Sequence, residues 1–419
     1  MLSADLELSW FAVLLLWIAL TIPWALAVIY LHGSQPRIRF SERTFRRVTD
    51  IGIILLYAGL LWTSASLSTD SQRYRWDGHV AQHGIDVYQY TPSESALRSL
   101  AWQDSHGFAF PDSLQFRRYR TIYPPASQSV FLVLAVTSDT HPFIWKACWT
   151  ILILILLVVV DRSVHNDVVR RHLRLFALSP IVLVHGVIDA HLDILTALLT
   201  LLGLVLWIRR STVYSAGSLA FAACMKFISL LVLPAIFLTR GGPRLRFLLV
   251  FLGIVIIVFG AWWSPYMFDS LLEFAARWKA NSLIGELLPF FGDQRIGRLV
   301  ISAVALVIMM YVTLRYRKAP MTAAALLLVT LPLFSPVAHV WYLLPPLAVS
   351  VIVPLRTTFV WAITSTVYAT AVYNEQSGGV FKEYTAAIII EYVPVYVAWI
   401  LDVRRGPLTS SSPIGYVNP

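Results

Sequence analysis

Charge is what this chain has least of. Only 13% of its 419 residues are Asp, Glu, Lys or Arg, against 58% hydrophobic, and the mean hydropathy is +0.69. This excludes a separate soluble domain, because apolar runs long enough to cross about 30 Å of hydrocarbon recur along nearly the whole chain. Cysteine is nearly absent. Cys148 and Cys224 both lie in apolar helix-forming sequence, which excludes a disulfide framework or a zinc site and leaves two packing residues. No internal repeat is visible, which weighs against the inverted repeats of many transporters. The first apolar run, Trp10–Leu31, lacks a basic leader and a small-residue cleavage site, so it is expected to be a retained helix.

What remains is an all-α polytopic membrane protein, read as one integral domain over 1–419. Spans are expected near 9–31, 48–68, 143–161, 172–188, 190–208, 213–225, 226–239, 247–263, 297–314, 319–335, 338–354, 357–373 and 384–402. That makes about 13 transmembrane helices, in a range of roughly 11–13. With the N-terminus outside, the short connections hold Arg43, Arg46, Arg47, Arg170, Arg171, Arg174, Arg209, Arg210, Arg315, Arg317, Lys318, Arg404 and Arg405 on the cytoplasmic side, as the positive-inside rule requires. The net charge of +10 is then accounted for by inner-leaflet lipid, with no nucleic acid needed. Basic residues flank both ends of Ser215–Thr239, which favours two short helices turning at Cys224–Lys226 over one long span. Such a pair must border a water-accessible cavity. Val130–Val136 is apolar but short, so it is expected to lie in the interface or to be re-entrant.

Two outer loops interrupt the apolar pattern, a long one over 69–142 that is expected to carry short interfacial helices and a second over 264–296. The first opens with Asp70, at the depth where a helix leaves the bilayer. It also supplies Arg73, Tyr74, Asp77, Tyr88, Arg117, Arg118, Arg120 and Tyr123. On the same side fall His185, Asp189, His191 and Asp193 from SPIVLVHGVIDAHLD, then Lys226, then Trp278, Lys279 and Asn281, and finally His339, Trp341 and Tyr342. Ionisable groups at membrane depth are costly and mark function by default. Distant segments donating them to one face point to an outward-facing polar cavity. Several have plainer readings: Asp77 and Asp86 as turn or helix caps, His185 as a core histidine, the arginine cluster as a headgroup contact, and Tyr123-Pro124-Pro125 as a rigid turn.

The order of these pieces resembles GT-C glycosyltransferases. An aspartate closing the second helix is followed by RYRWDG, GIDVYQYTP and TIYPP, then by GVIDAHLD, the lysine of AGSLAFAACMKFISLLVLP, WKAN and FSPVAHVWY. Over roughly residues 50–375 this is similar to the polyprenyl-phosphate-dependent mannosyltransferases of glycosyltransferase family 87. The pattern departs at Asp86-Val87-Tyr88, where such enzymes more often show Asn-Pro-Tyr, and this bears on sugar identity more than on the chemistry.

The resemblance implies a GT-C fold and an inverting glycosyltransferase of the cell (inner) membrane with its active site on the periplasmic or external face. The donor would be a polyprenyl-phosphate sugar, with mannose expected, and the acceptor a glycolipid or glycan; the chain is expected to be monomeric. No DxD motif is present, so neither a metal nor a cofactor is expected. Asp70 is the expected general base, with Asp77 as fallback. Lys226, His339, Arg117, Arg118 and Arg120 are the candidates for the donor phosphate, and Tyr74, Tyr88, Tyr123, His191, Asp193, Trp278, Asn281 and Tyr342 for sugar and acceptor hydroxyls. The rival class is a transporter or flippase of lipid-linked sugars, disfavoured by the missing repeats and by polar groups gathered at one face. A polymerase or ligase would call for a large late outer loop, whereas that around Tyr373–Gly379 is short.

Overall fold

The computed structural model describes residues 10–32, 41–63, 67–138, 141–239, 242–371 and 382–408; the late turn around Tyr373–Gly379 lies outside them. The chain runs as α1 (Trp10–His32), α2 (Glu42–Leu60), α3 (Asp70–Gln82), α4 (Pro125–Ser138), α5 (Pro142–Ser163), α6 (Asp167–Ala177), α7 (Asp193–Ile208), α8 (Thr212–Met225), α9 (Leu233–Leu238), α10 (Arg244–Ala261), α11 (Asp269–Arg277), α12 (Gln294–Arg315), α13 (Pro320–Leu333), α14 (Leu344–Val349), α15 (Arg356–Thr364) and α16 (Thr385–Arg405). Among the described residues, α5, α10, α12 and α16 are each long and apolar enough to cross a membrane. Other apolar helices, among them α4, α7, α8 and α13, are shorter, at 10–17 residues. Short helices survive at membrane depth where protein rather than lipid surrounds them, and two of them are enclosed in this way. α7 and α13 are buried on nearly every face. By contrast α10 and α12 leave Ile256, Ile257, Leu299 and Leu306 exposed, as lipid-facing helices do.

The span expected over 172–188 is bent rather than straight. α6 and the π-helical turn Val182–Ile188 meet at 65°. Pro180 lies at the bend; it has no N–H to give, and its ring displaces the preceding turn. The carbonyls near the break find side-chain donors instead: Trp24 Nε1 reaches Leu175 O at 2.8 Å and the Tyr57 hydroxyl reaches Ala177 O at 2.9 Å. A second break falls at Lys226, whose backbone is extended (φ −155°, ψ 126°) between α8 and a 3-10 turn, Phe227–Val232, that runs into α9.

The long outer loop is more than a row of interfacial helices. It has a core of Trp76, Val80, Val87, Tyr88, Leu97, Phe110 and Leu114, joined by Met267 from the second outer loop. It also departs from an all-α chain in one hairpin, β1 (Trp102–Gln103) against β2 (Ala109–Phe110). A buried ion pair, Arg75 to Asp104 at 2.7 Å, ties α3 to that hairpin. Val130–Val136 belongs to α4, which packs against α3. The approach is so close that a Cβ on Gly78 would collide with the Phe131 carbonyl, so only glycine fits in the RYRWDG motif there.

Candidate active site

Three breaks in regular structure aim side chains at one point. The first is the start of α3, where the Ser68 hydroxyl accepts from the Asp70 N–H at 3.2 Å and Asp70 occupies the first turn, the end of a helix that favours an acidic group. The second is the π-helical turn, after which Ala190 takes a positive φ of 54° and the His191 N–H bonds His185 O at 2.8 Å. π-turns of this kind often sit at functional sites. The third is the interruption at Lys226.

Asp70 Oδ2 lies 3.5 Å from His191 Nδ1, and its side chain keeps 35% exposure while the imidazole has none. Among the described residues no Lys or Arg nitrogen comes within 4.0 Å of this carboxylate. Burial pushes it up to about 6, against a hydrogen bond from Tyr123 and the charge of Lys226, which both favour the ionised form. The Tyr123 hydroxyl also bonds that of Tyr74, which accepts the Leu192 N–H at 3.4 Å and whose ring stacks on Phe131 at 4.4 Å. Burial and the neighbouring Asp70 charge hold both phenols well above their usual range, so they stay neutral donors.

Beside this group, Lys226 Nζ donates to Asp193 Oδ1 at 2.6 Å and lies 4.1 Å from the Tyr342 ring centroid. Lys226 keeps 29% side-chain exposure and Asp193 only 4%. Trp341 stacks on His191 at 3.9 Å and on His339 at 4.5 Å, which joins the late motif to the early one. Both ring nitrogens of His191, Nε2 of His185 and Nδ1 of His339 are buried without a hydrogen-bond partner. Buried polar atoms are rarely left so, and their concentration here suits a site that takes up a polar ligand.

Other candidates stand elsewhere. Asp77 is paired with Arg73 at 2.7 Å, and its second oxygen faces Gln128 at 3.4 Å. Tyr88 donates to the Tyr123 carbonyl at 2.8 Å, bracing that turn from behind. Arg117 pairs with Asp112 and Arg120 with Asp269, each at 2.7 Å, and Arg118 is exposed. Trp278 packs between loops against Phe116 and Tyr119. The Asn281 amide is shared among Ala338 O, Glu391 and Tyr392.

His185, Asp189 and His191 could offer ligand atoms to an ion, all within 4.8 Å of one another. Yet Asp189 already takes His185 Nδ1 at 3.1 Å and the Leu67 N–H at 3.3 Å, and the Lys146 charge acts on it as well. That donor set fits an internal network better than a cation. Lys146, which also holds the Thr63 carbonyl, and Glu391 were legible as lone charges inside the apolar runs FIWKACWT and IIIEYVPVY.

Residues 4–242 match the family model described as "Alpha-(1->6)-mannopyranosyltransferase, N-terminal domain". Neither the curated proteins nor the solved structures contain a match to this chain.

Proposed function

Since the chain belongs to the alpha-(1->6)-mannopyranosyltransferase family and is thereby a membrane glycosyltransferase, we propose that it transfers mannose from a polyprenyl-phosphate donor to a glycolipid or glycan acceptor. Transfer takes place on the outer face of the cell membrane, and the family description suggests an α-(1→6) linkage. One domain of about 13 spans, acting as a monomer, suffices for this chemistry.

The observation that carries the reading is Asp70: a carboxylate at the start of the long loop, about a third exposed, without a lysine or arginine partner among the described residues, and within reach of the Lys226 charge. Asp70 takes the proton of the attacking acceptor hydroxyl. That oxygen bonds the anomeric carbon as the bond from carbon to phosphate oxygen breaks, and the electron pair leaves with the lipid phosphate. A single displacement inverts the centre through an oxocarbenium-like state, so an α product requires a β-linked donor. General-base help of this kind contributes about 10²–10⁴-fold. The departing phosphate meets the Lys226 ammonium, with His339 alongside, in a site where fixed charge acts strongly because water is scarce. Tyr74, Tyr123, His191, Asp193 and Tyr342 line the sugar. Arg117, Arg118 and Arg120, at the rim of the loop, serve the lipid headgroup region, and Asp77 stays with Arg73.

Purified protein given a short-chain β-linked polyprenyl-phosphate mannose and membrane lipid extract in EDTA tests the proposal. A mannosylated lipid that is lost in Asp70→Asn supports it. Transfer unaffected by that substitution removes Asp70 as base, and no transfer from any polyprenyl-phosphate sugar removes the donor class.

A further inference from the structure

Glu391 is a carboxyl group in the middle of an apolar helix, α16, with 1% exposure. Burying such a group is expensive unless it is fully bonded. Its Oε1 accepts Trp361 Nε1 at 3.0 Å and Asn281 Nδ2 at 3.3 Å. Asn281 sits at a positive φ of 41°, a conformation asparagine tolerates better than most residues, and its N–H bonds Glu383 at 2.8 Å. From there Nδ2 reaches Ala338 O at 3.4 Å, and the Tyr392 hydroxyl donates to the same carbonyl at 3.1 Å. The Ala338 N–H in turn bonds Ala280 O at 2.9 Å, within a short parallel bridge between Ala280 and Val337. Ala338, the residue before His339, is therefore held at both its N–H and its carbonyl. The imidazole itself is not: its Nδ1 has no hydrogen-bond partner, and the ring is oriented by its stack on Trp341 and by its backbone.

We propose that Glu391 is a positioning residue for His339, acting through Asn281 on the Ala338 carbonyl and so linking the WKAN loop to the FSPVAHVWY strap. This rests on reading His339 as part of the phosphate-binding face. A tilt of the Ala338–His339 peptide moves the imidazole relative to Trp341 and to the lysine beyond it. Misplacement by about 1 Å in such a site can cost on the order of 10²-fold in rate.

Two measurements on full-length protein in detergent or nanodiscs test it: hydrogen–deuterium exchange over residues 335–342, and mannose transfer resolved into kcat and KM. Glu391→Ala is expected to speed exchange in the strap and to lower kcat by about 10²-fold with little change in donor KM. Combined with His339→Ala it should be no worse than His339→Ala alone, as for residues acting as one unit. Glu391→Gln keeps an oxygen that accepts the same two bonds, so both readouts should return to the wild-type level. Tyr392→Phe, which removes one grip and keeps the ring, should raise exchange more modestly and carries the test if Glu391→Ala does not fold. Unchanged strap exchange, or a kcat loss additive with His339→Ala, overturns the proposal. If exchange responds to Glu391→Ala but not to Glu391→Gln while wild-type protein transfers no mannose, the clamp stands and the donor reading falls.

Discussion

Asp70 and Asp77 lie about two turns apart on α3, and their surroundings differ in one respect above all. Asp77 is closed in: Arg73 neutralises it one turn away, Gln128 caps its other oxygen, and its side chain is 3% exposed. Asp70 is left open, facing an imidazole and a phenol and sensing a lysine that is already bonded to Asp193. A carboxylate with its own arginine is part of the framework; one held near positive charge without being paired is available to a proton. The contrast separates two environments within one short stretch, RYRWDG and the aspartate before it.

The comparison breaks most sharply at Asp70. Asp70→Asn should lower kcat by about 10²–10⁴-fold with no loss of thermal stability, measured on the same preparation. Lys226→Ala should follow at about 10²-fold in kcat; unchanged turnover would move the phosphate role to His339 or the loop arginines. At the closed end the effect should appear in stability instead. Asp77→Ala leaves the largely enclosed Arg73 without its carboxylate, bonded only to the Tyr119 carbonyl, and should destabilise by about 3 kcal/mol, read as a fall in the thermal midpoint. Replacing Arg73 and Asp77 together by Met and Leu should recover most of that loss, since an apolar pair can substitute for a buried ion pair. The smallest effect sharpens the open end. Asp70 must be ionised to act as base, so kcat should fall with pH below about 6. Tyr123→Phe removes a bond that favours the ionised form, so the acid limb should move to higher pH.

How far the sequence could be read depended on how far away the partners were. Asp70 stood out because it closes an apolar run at a depth where a carboxylate is costly, and the break at Lys226 followed from basic residues on both flanks. The Arg73–Asp77 pair was visible as an i,i+4 spacing, yet spacing alone does not say that Asp77 is buried. Arg120 read as free positive charge because its partner, Asp269, lies 149 residues away. Asn281 looked like a sugar ligand for the same reason: Glu391, which takes its amide, is 110 residues further on. The bend after α6 was missed because an apolar run looks continuous until Pro180 and the indole and phenol that serve its freed carbonyls are considered together.

The interruption at Lys226 also bears on how the chain is made. α8 and the apolar stretch Phe227–Leu238 are each too short to be released into lipid unaided, and α13, on which the second half packs, begins only at Pro320. At about 5–20 residues per second, the ribosome needs on the order of 4–16 s to supply it. During that interval Phe227–Leu238 lacks the partner it packs against, whereas α8 already has α7. A nascent chain arrested before Pro320 should therefore crosslink from Phe227–Leu238 to the insertion machinery, and one arrested well beyond Leu333 should not.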